Sequence, residues 1–598
     1  MNILVSIKQK NIMHKLLIFF LFVFNLYSCT SRNNNAGDSE DTSIPQTEIA
    51  SETGKKIDRY LSGMETLGFS GAIVVSKGDE ILLSKGYGLA DRETRRHYTS
   101  GTIQTCGSVT KQFTAAAILL LESHEQLSVN DTITKYFTQV PDDKKNITIH
   151  QLLTHSSGLP GGIGPDDEPI ETREYMDRTM SSPLQFSPGS GYGYSNTGYS
   201  LLAMIIEKVT GKSYEAFLRE ELLLPAGMTQ TGYILPDWDR YQMAIGYQKG
   251  ERWGEVYKRG WLEDGPNWHL RGNGGMHTTV TDMHKWLTTV KGHGVLKNDV
   301  AKRWTTGYVP ENNGYSEYGY GWVVYEHNRW GKIITHSGSN RIFEADFAWL
   351  TEKDFFYYIQ GNTSMFPAAN QGRNILKAAF DTSFFMPPIL QTTDSAKPET
   401  ARQRAGIYLL KEGSLELTAD DTRLFAKLTG QSVFDLMFSH TDEQKSRFAR
   451  LNSRTRQAMD KLLNGRTDAL AGIIAEDANA VELTEPFLRR INQIGNLTEL
   501  LVVGTFENEP GSRFYESGPW TTFVYAEFEN WNQYWNLIWN SDETYKENKS
   551  GPWPTFVLIP TGTGQYMSVS QGYPWNMREI QYKDNCLIIN KQKACPVK

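Results

Sequence analysis

The chain has 598 residues, of which 22% are charged and 39% hydrophobic, with 61 Lys+Arg against 68 Asp+Glu and a net charge of -7. That length is enough for two or more domains, and the slight acidity gives no basic footprint for nucleic acid. The sequence has no Gly-x-Ser-x-Gly, no His-Glu-x-x-His, no paired Cys-x-x-Cys and no glycine-rich phosphate loop, which argues against an α/β-hydrolase elbow, a metal enzyme and a nucleotide enzyme. Neither a cofactor nor a metal is expected.

Residues 1–29 read as a signal peptide. After Lys15 the run LLIFFLFVFNLY is too short to span a bilayer and right for a signal-peptide core; Met13 offers a better-proportioned start than Met1. The core ends at Leu26-Tyr27-Ser28-Cys29, a small residue before a cysteine that resembles a bacterial lipobox. Cys29 is then the expected lipid-bearing N-terminus, and the rest of the chain is expected in the bacterial cell envelope, facing the periplasm or exterior. Residues 30–52 are polar and acidic, unable to bury enough to fold, and read as a flexible tether.

Folded sequence begins near residue 53. The stretch FSGAIVVSKGDEILLSKGYGLAD reads as paired strands. Ser108 and Lys111 follow in CGSVTKQFTAAAILLLE, a glycine turn opening into a helix whose alanines favour helix strongly. Residues three apart share a helix face, so the Lys111 amine can reach the Ser108 hydroxyl, and burial would lower its pKa enough to make it a base. Alternatively Ser108 is an ordinary N-cap and Lys111 a solvated first-turn lysine. His155, in LLTHSSGLP, is expected to be structural. Further on come Tyr194-Ser195-Asn196 in a glycine-rich loop before another helix, and His336-Ser337-Gly338 after a short β-type run. Tyr-x-Asn recurs at Tyr534-Trp535-Asn536, and Asn196 could simply cap its helix.

The order Ser-x-x-Lys, Tyr-x-Asn, His-x-Gly, with the stretches ITIHQLLTHSSGLPG, LLAMIIEKVTGKSY and GNGGMHTTVTDMHKWL around it, resembles the serine β-lactamase and penicillin-binding protein superfamily. The nearest branch holds class C β-lactamases, D-alanyl-D-alanine carboxypeptidases, D-aminopeptidases and related esterases. The resemblance implies an α+β domain over 53–386, with an antiparallel sheet flanked by helices, an added helical region and the terminal strands paired in one sheet. It implies acylation of Ser108, proton transfer by Lys111 and Tyr194, and substrate contacts from Asn196 and His336. The oxyanion hole would come from the backbone N–H of Ser108 and of Ser339, which follows Gly338. The implied activity is a serine hydrolase of small D-amino-acid peptides, amides or esters, cell-wall derivatives among them; a β-lactamase proper, or a low-turnover binding or sensor lipoprotein on the same fold, are the alternatives. Where class C enzymes carry a lysine, this chain has His336. A histidine is mostly neutral near pH 7, which weakens carboxylate recognition there, and activity would fall at acid pH near a histidine pKa of about 6.5.

Residues 387–403 read as a Pro/Thr/Ser-rich linker. Beyond it, 404–598 opens with alternating strand patterns, continues with two helical patterns and ends with TELLVVGTF, TTFVYAEFE, YWNLIWN and TFVLIP. Helices followed by an antiparallel sheet suggest an α+β layer, in an order resembling a nuclear-transport-factor-like cone. Trp520, Trp531, Trp535, Trp539, Trp553 and Trp575 are expected to pack the core rather than form a ligand platform. Cys106 reads as a small buried residue, while Cys586 and Cys595 are either a short disulfide or two free thiols.

Overall fold

In GAIVVSK apolar residues occupy both faces of a strand, and Gly71–Lys77 is buried along all but its last residue. Ala72 and Val74 point into one core and Ile73 and Val75 into another, as a two-residue period requires. The strand therefore lies in the middle of a sheet between two layers. The computed structural model describes residues 47–597 except 249, 312–313, 383, 385, 391–396, 411, 509–516, 529–531, 551–554 and 571–576. The expected signal peptide, Cys29 and most of the tether lie outside the described residues.

The sheet has nine strands: β1 (Glu48–Ile49), β2 (Gly71–Lys77), β3 (Glu80–Tyr87), β4 (Val309–Pro310), β5 (Glu317–Tyr318), β6 (Val323–His327), β7 (Gly331–Ser339), β8 (Glu344–Leu350) and β9 (Phe355–Gly361). Their spatial order is β1-β3-β2-β9-β8-β7-β6-β5-β4, and β2 pairs with β9 in the register Ile73↔Ile359, so early and late strands do share one sheet. The fold starts before residue 53. Glu48 pairs with Ser84, and Ser51 caps the first helix by accepting from the Gly54 N–H at 3.0 Å; a two-residue edge strand is too short to stand out of a polar run.

Helices α1 (Glu52–Leu67) and α4 (Ala368–Phe380) cover one face, where Ile57, Tyr60 and Leu61 meet Ile375 and Leu376 over β2, β3 and β9. The other face carries α2 (Thr110–Ser123) and α3 (Asn196–Thr210). Every residue of α2 from Thr110 to Leu121 is buried, which identifies it as the central helix of the domain. No helix among the described residues is long and apolar enough to cross a membrane.

The C-terminal region departs from the sequence reading. Gly406–Leu410, Gly413–Asp420 and Arg423–Thr429 close an eight-stranded barrel with the last five strands, while the helices and the four-stranded sheet of 497–550 are inserted between them. TFVLIP belongs to the barrel, where Leu424 pairs with Leu558, and not to the sheet beside YWNLIWN; pairing across so long an insertion leaves no local trace. The expected linker contains a helix, Pro398–Arg404, with proline in its first turn and Ala401 buried against the barrel. Trp520, Trp535 and Trp539 are core residues; Trp531, Trp553 and Trp575 lie outside the described residues. Cys586 and Cys595 form a disulfide across the last hairpin, and Cys106 is a buried free thiol.

Candidate active site

Ser108 sits in a 3-10 turn, Gly107–Val109, that runs into α2 without a side-chain cap, so it is not the N-cap its position allowed. Lys111 is fully buried. Its Nζ lies 3.2 Å from Ser108 Oγ, 2.8 Å from Asn196 Oδ1 and 2.9 Å from the Asn273 carbonyl oxygen. Burial holds the amine well below its ordinary 10.5. A neutral amine has two N–H bonds and one lone pair. The two amide oxygens can only accept, so in the neutral form they take both N–H bonds and the lone pair faces the serine hydroxyl.

The loop before α3 brings in Tyr194. Ser195 caps α3 by accepting from the Gly198 N–H, which leaves Asn196 in the first turn with its side chain on Lys111. The Tyr194 ring centroid is 4.8 Å from Lys111 Nζ. Although 36% of Tyr194 is exposed, desolvation of its hydroxyl in the cleft pushes the phenol above its ordinary value, and a hydrogen bond with Ser108 only partly offsets this. The site therefore holds an amine whose burial favours its neutral form beside a protonated phenol.

His155 brackets this tyrosine. It accepts from the Ser195 N–H at Nδ1, 3.0 Å away, and its carbonyl accepts from the Gly193 N–H at 2.9 Å. It does so from a left-handed conformation, φ 56°, with its ring 4.2 Å from that of Tyr194. Burial keeps it neutral, well below 6.5. These contacts are structural, as the sequence suggested, and they fall on the loop that carries Tyr194.

His336 lies on β7, 6.3 Å between ring centroids from Tyr194. Its Nδ1 donates to the Ser337 carbonyl at 2.7 Å and its Nε2 accepts from the Tyr318 hydroxyl at 2.8 Å. Burial lowers its pKa to about 3. It therefore stays neutral through the physiological range and cannot set an acid limb near 6.5, which corrects the expectation from an unperturbed imidazole.

Two glycines bring two backbone amides together. A Cβ on Gly338 would fall 1.9 Å from the Cys106 carbonyl oxygen and 2.9 Å from the Ser108 nitrogen, and one on Gly107, at φ 52°, would fall 2.7 Å from the Ser339 nitrogen. Only glycine permits β7 to approach the start of α2 this closely, which sets the Ser108 and Ser339 amides side by side. Asn273 and Tyr318 escaped the sequence reading. Asn273 lies in the GNGGMHTT stretch, but its contribution is a backbone carbonyl, and Tyr318 carries no motif.

Residues 59–380 match the Beta-lactamase family. The chain is 29% identical over 409 residues to "Penicillin-binding protein 4*" of Bacillus subtilis, covering 62% of this chain and 87% of that one. It is 33% identical over 188 residues to "Protein flp" of Staphylococcus aureus, covering 30% of this chain and 37% of that one. Among solved structures, the octameric penicillin-binding protein homologue from Pyrococcus abyssi superposes with a TM-score of 0.50 at 19% identity, covering 91% of this chain and 100% of that one. The family match spans more than half of the sequence and encloses Ser108, Lys111, Tyr194, Asn196, His336, Gly338 and Ser339; the chain belongs to the beta-lactamase family.

Proposed function

We propose that the protein is a serine hydrolase working through an acyl-enzyme on Ser108. The observation that carries this is the buried Lys111 amine, held well below its ordinary pKa and with Nζ 3.2 Å from Ser108 Oγ. Lys111 takes the serine proton as Oγ attacks the substrate carbonyl carbon, and the oxyanion is held by the Ser108 and Ser339 amides. The Tyr194 phenol, raised and protonated, gives its proton to the departing nitrogen or oxygen as the bond to the carbonyl carbon breaks. Water then attacks the ester, losing a proton to the Tyr194 phenolate, and as the ester bond breaks the protonated Lys111 returns its proton to Ser108 Oγ.

The substrates are D-amino-acid peptides, amides or esters, with Asn196 and the β7 edge contacting them. The neutral His336 supports this over a β-lactamase proper, since it offers no fixed cation for a carboxylate beside the oxyanion hole. The intact trio of Ser108, Lys111 and Tyr194 supports turnover over a binding or sensor role. The working place is the cell envelope, with Cys29 lipid-bearing and anchored. The Cys586–Cys595 disulfide supports an oxidising compartment.

The test is a fluorophosphonate probe on the full chain, followed by a panel of D-alanyl peptides, D-amino-acid amides, short-chain p-nitrophenyl esters and nitrocefin. Ser108→Ala should abolish labelling, and labelling that persists would refute the assignment. Fractionating the same cells tests the anchor: Cys29→Ala should release the labelled protein from membranes, and equal retention of the processed variant would rule the anchor out.

A further inference from the structure

A cavity of about 150 Å3 is lined by Asp166, Asp167, Trp253, Arg259, Leu270, Asn340 and Arg341 among others. Three elements tie it to the reacting atoms. Asn340 directly follows Ser339, whose amide belongs to the oxyanion hole. Leu270 Cδ2 lies 3.4 Å from the Cβ position of Gly274, itself 4.0 Å from the Gly107 carbonyl carbon. Asp166 is within electrostatic reach of both Lys111 and Arg341.

The charges on its walls are of both signs. Arg259 lies over the Trp253 ring, 4.0 Å from the centroid, and donates to the Trp253 carbonyl. The Arg341 guanidinium and the Asp166 and Asp167 carboxylates make no side-chain hydrogen bond or close salt bridge among the described residues, and Arg341 acts on Asp166 only as a nearby charge. Arg341 is held at the β7–β8 turn in a left-handed conformation, φ 78°, with its N–H on Ser339 Oγ. A ligand carrying one charge would meet an attractive wall and a repulsive one, whereas a ligand carrying both charges would satisfy both. The volume lies below the roughly 300–1,000 Å3 of drug-sized sites and suits a small head group, and Val256, Leu270 and Ile342 give it apolar surface for a short stem.

We propose that this cavity is a substrate subsite for a zwitterionic α-amino-acid head group, its ammonium on Asp166 and Asp167 and its carboxylate on Arg341. The inference rests on the serine-hydrolase reading and assigns it a substrate class: acyl groups that end in a free amino acid. It also places a substrate-binding cation at Arg341, where His336 provides none.

The test uses four fluorophosphonates with matched alkyl tails ending in methyl, ammonium, carboxylate or an α-amino-acid group, and reads the second-order rate of Ser108 labelling on the full chain. The amino-acid tail should label about tenfold faster than the methyl tail, the product of two partly exposed ion pairs. Arg341→Gln should reduce the amino-acid tail to the level of the ammonium tail, and Asp166→Asn with Asp167→Asn to that of the carboxylate tail, each judged as a ratio within one variant. Equal rates for all four tails, or an ammonium tail as fast as the amino-acid tail, would overturn the subsite and leave the hydrolase intact. Failure of every tail to label would overturn both.

Discussion

As a neutral amine Lys111 has two N–H bonds to give, two carbonyl-type oxygens take them, and the third neighbour, Ser108, is then a donor to its lone pair. Charge alone cannot replace this. Lys111→Ala should slow acylation by about a hundredfold or more, the usual scale of general acid–base catalysis. Lys111→Arg should be equally slow, because a guanidinium keeps the charge and has no lone pair to offer. An arginine variant with near-normal labelling would mean the lysine acts as a cation. The pH profile follows from the same shifts. Activity should rise with pH as Lys111 loses its proton, with a midpoint below the ordinary lysine value, and should not fall until the pH passes the ordinary tyrosine value, because burial raises the phenol; His336→Asn should leave the acid limb where it is. His155 gives a second test at this scale. His155→Ala strands the buried Ser195 N–H, a loss of about 1–3 kcal/mol, and should lower the acylation rate. His155→Asn should restore part of it, since asparagine tolerates the left-handed backbone and carries an acceptor. An asparagine variant no faster than the alanine variant would detach the histidine from Tyr194.

The strand that carries Ser339 is braced from behind by carboxyls. On β8, Asp346 accepts from Ser337 Oγ and from the Tyr357 hydroxyl, both at 2.7 Å, and Glu344 accepts from Ser339 Oγ at 2.8 Å. Burial raises Asp346 from 3.8 to about 6. The sign follows from proton counting. As pH rises from 3.8 to about 6 the unfolded chain has released this proton and the folded one still holds it, so stability falls across that window and the penalty is complete above it. At neutral pH it is on the order of 3 kcal/mol. Asp346→Asn removes the titration, so its melting temperature should gain on the wild type as pH rises from about 4 to 7. Parallel melting curves against pH would disprove the account. Elements such as β7 and α2 were legible because His-x-Gly and Ser-x-x-Lys are local spacings on regular structure. The brace was not, since Asp346 and Ser337 meet only through strand register, and neither was the Asn273 carbonyl, which a residue of any type at that position would supply.

At the scale of the whole molecule the catalytic domain and the barrel share a core. Phe425, Val557, Ile559 and Val569 of the barrel pack with Ile57, Leu61 and Phe366. The sequence marked a linker and a second domain, and could not reveal this union, because apolar periodicity assigns a buried face without naming its partner. Two arginines fix the docking. Arg423 donates from the barrel to the Thr66 and Glu65 carbonyls at 2.7 and 2.9 Å, a cation set against the C-terminal end of α1 where the helix dipole favours it. Arg92, in the catalytic domain, makes a two-pronged bond with Asp420, one contact at 3.2 Å, and the side chains are only 11% and 4% exposed. Two buried charges stabilise little as a pair, but either one alone is costly. Arg92→Ala should therefore destabilise by about 3–5 kcal/mol, and Asp420→Ala by a similar amount, while the double variant should recover much of the loss. Denaturant unfolding of the four proteins measures the cycle. A double variant as unstable as the sum of the singles would show that the two charges act independently and that the shared apolar core alone holds the barrel in place.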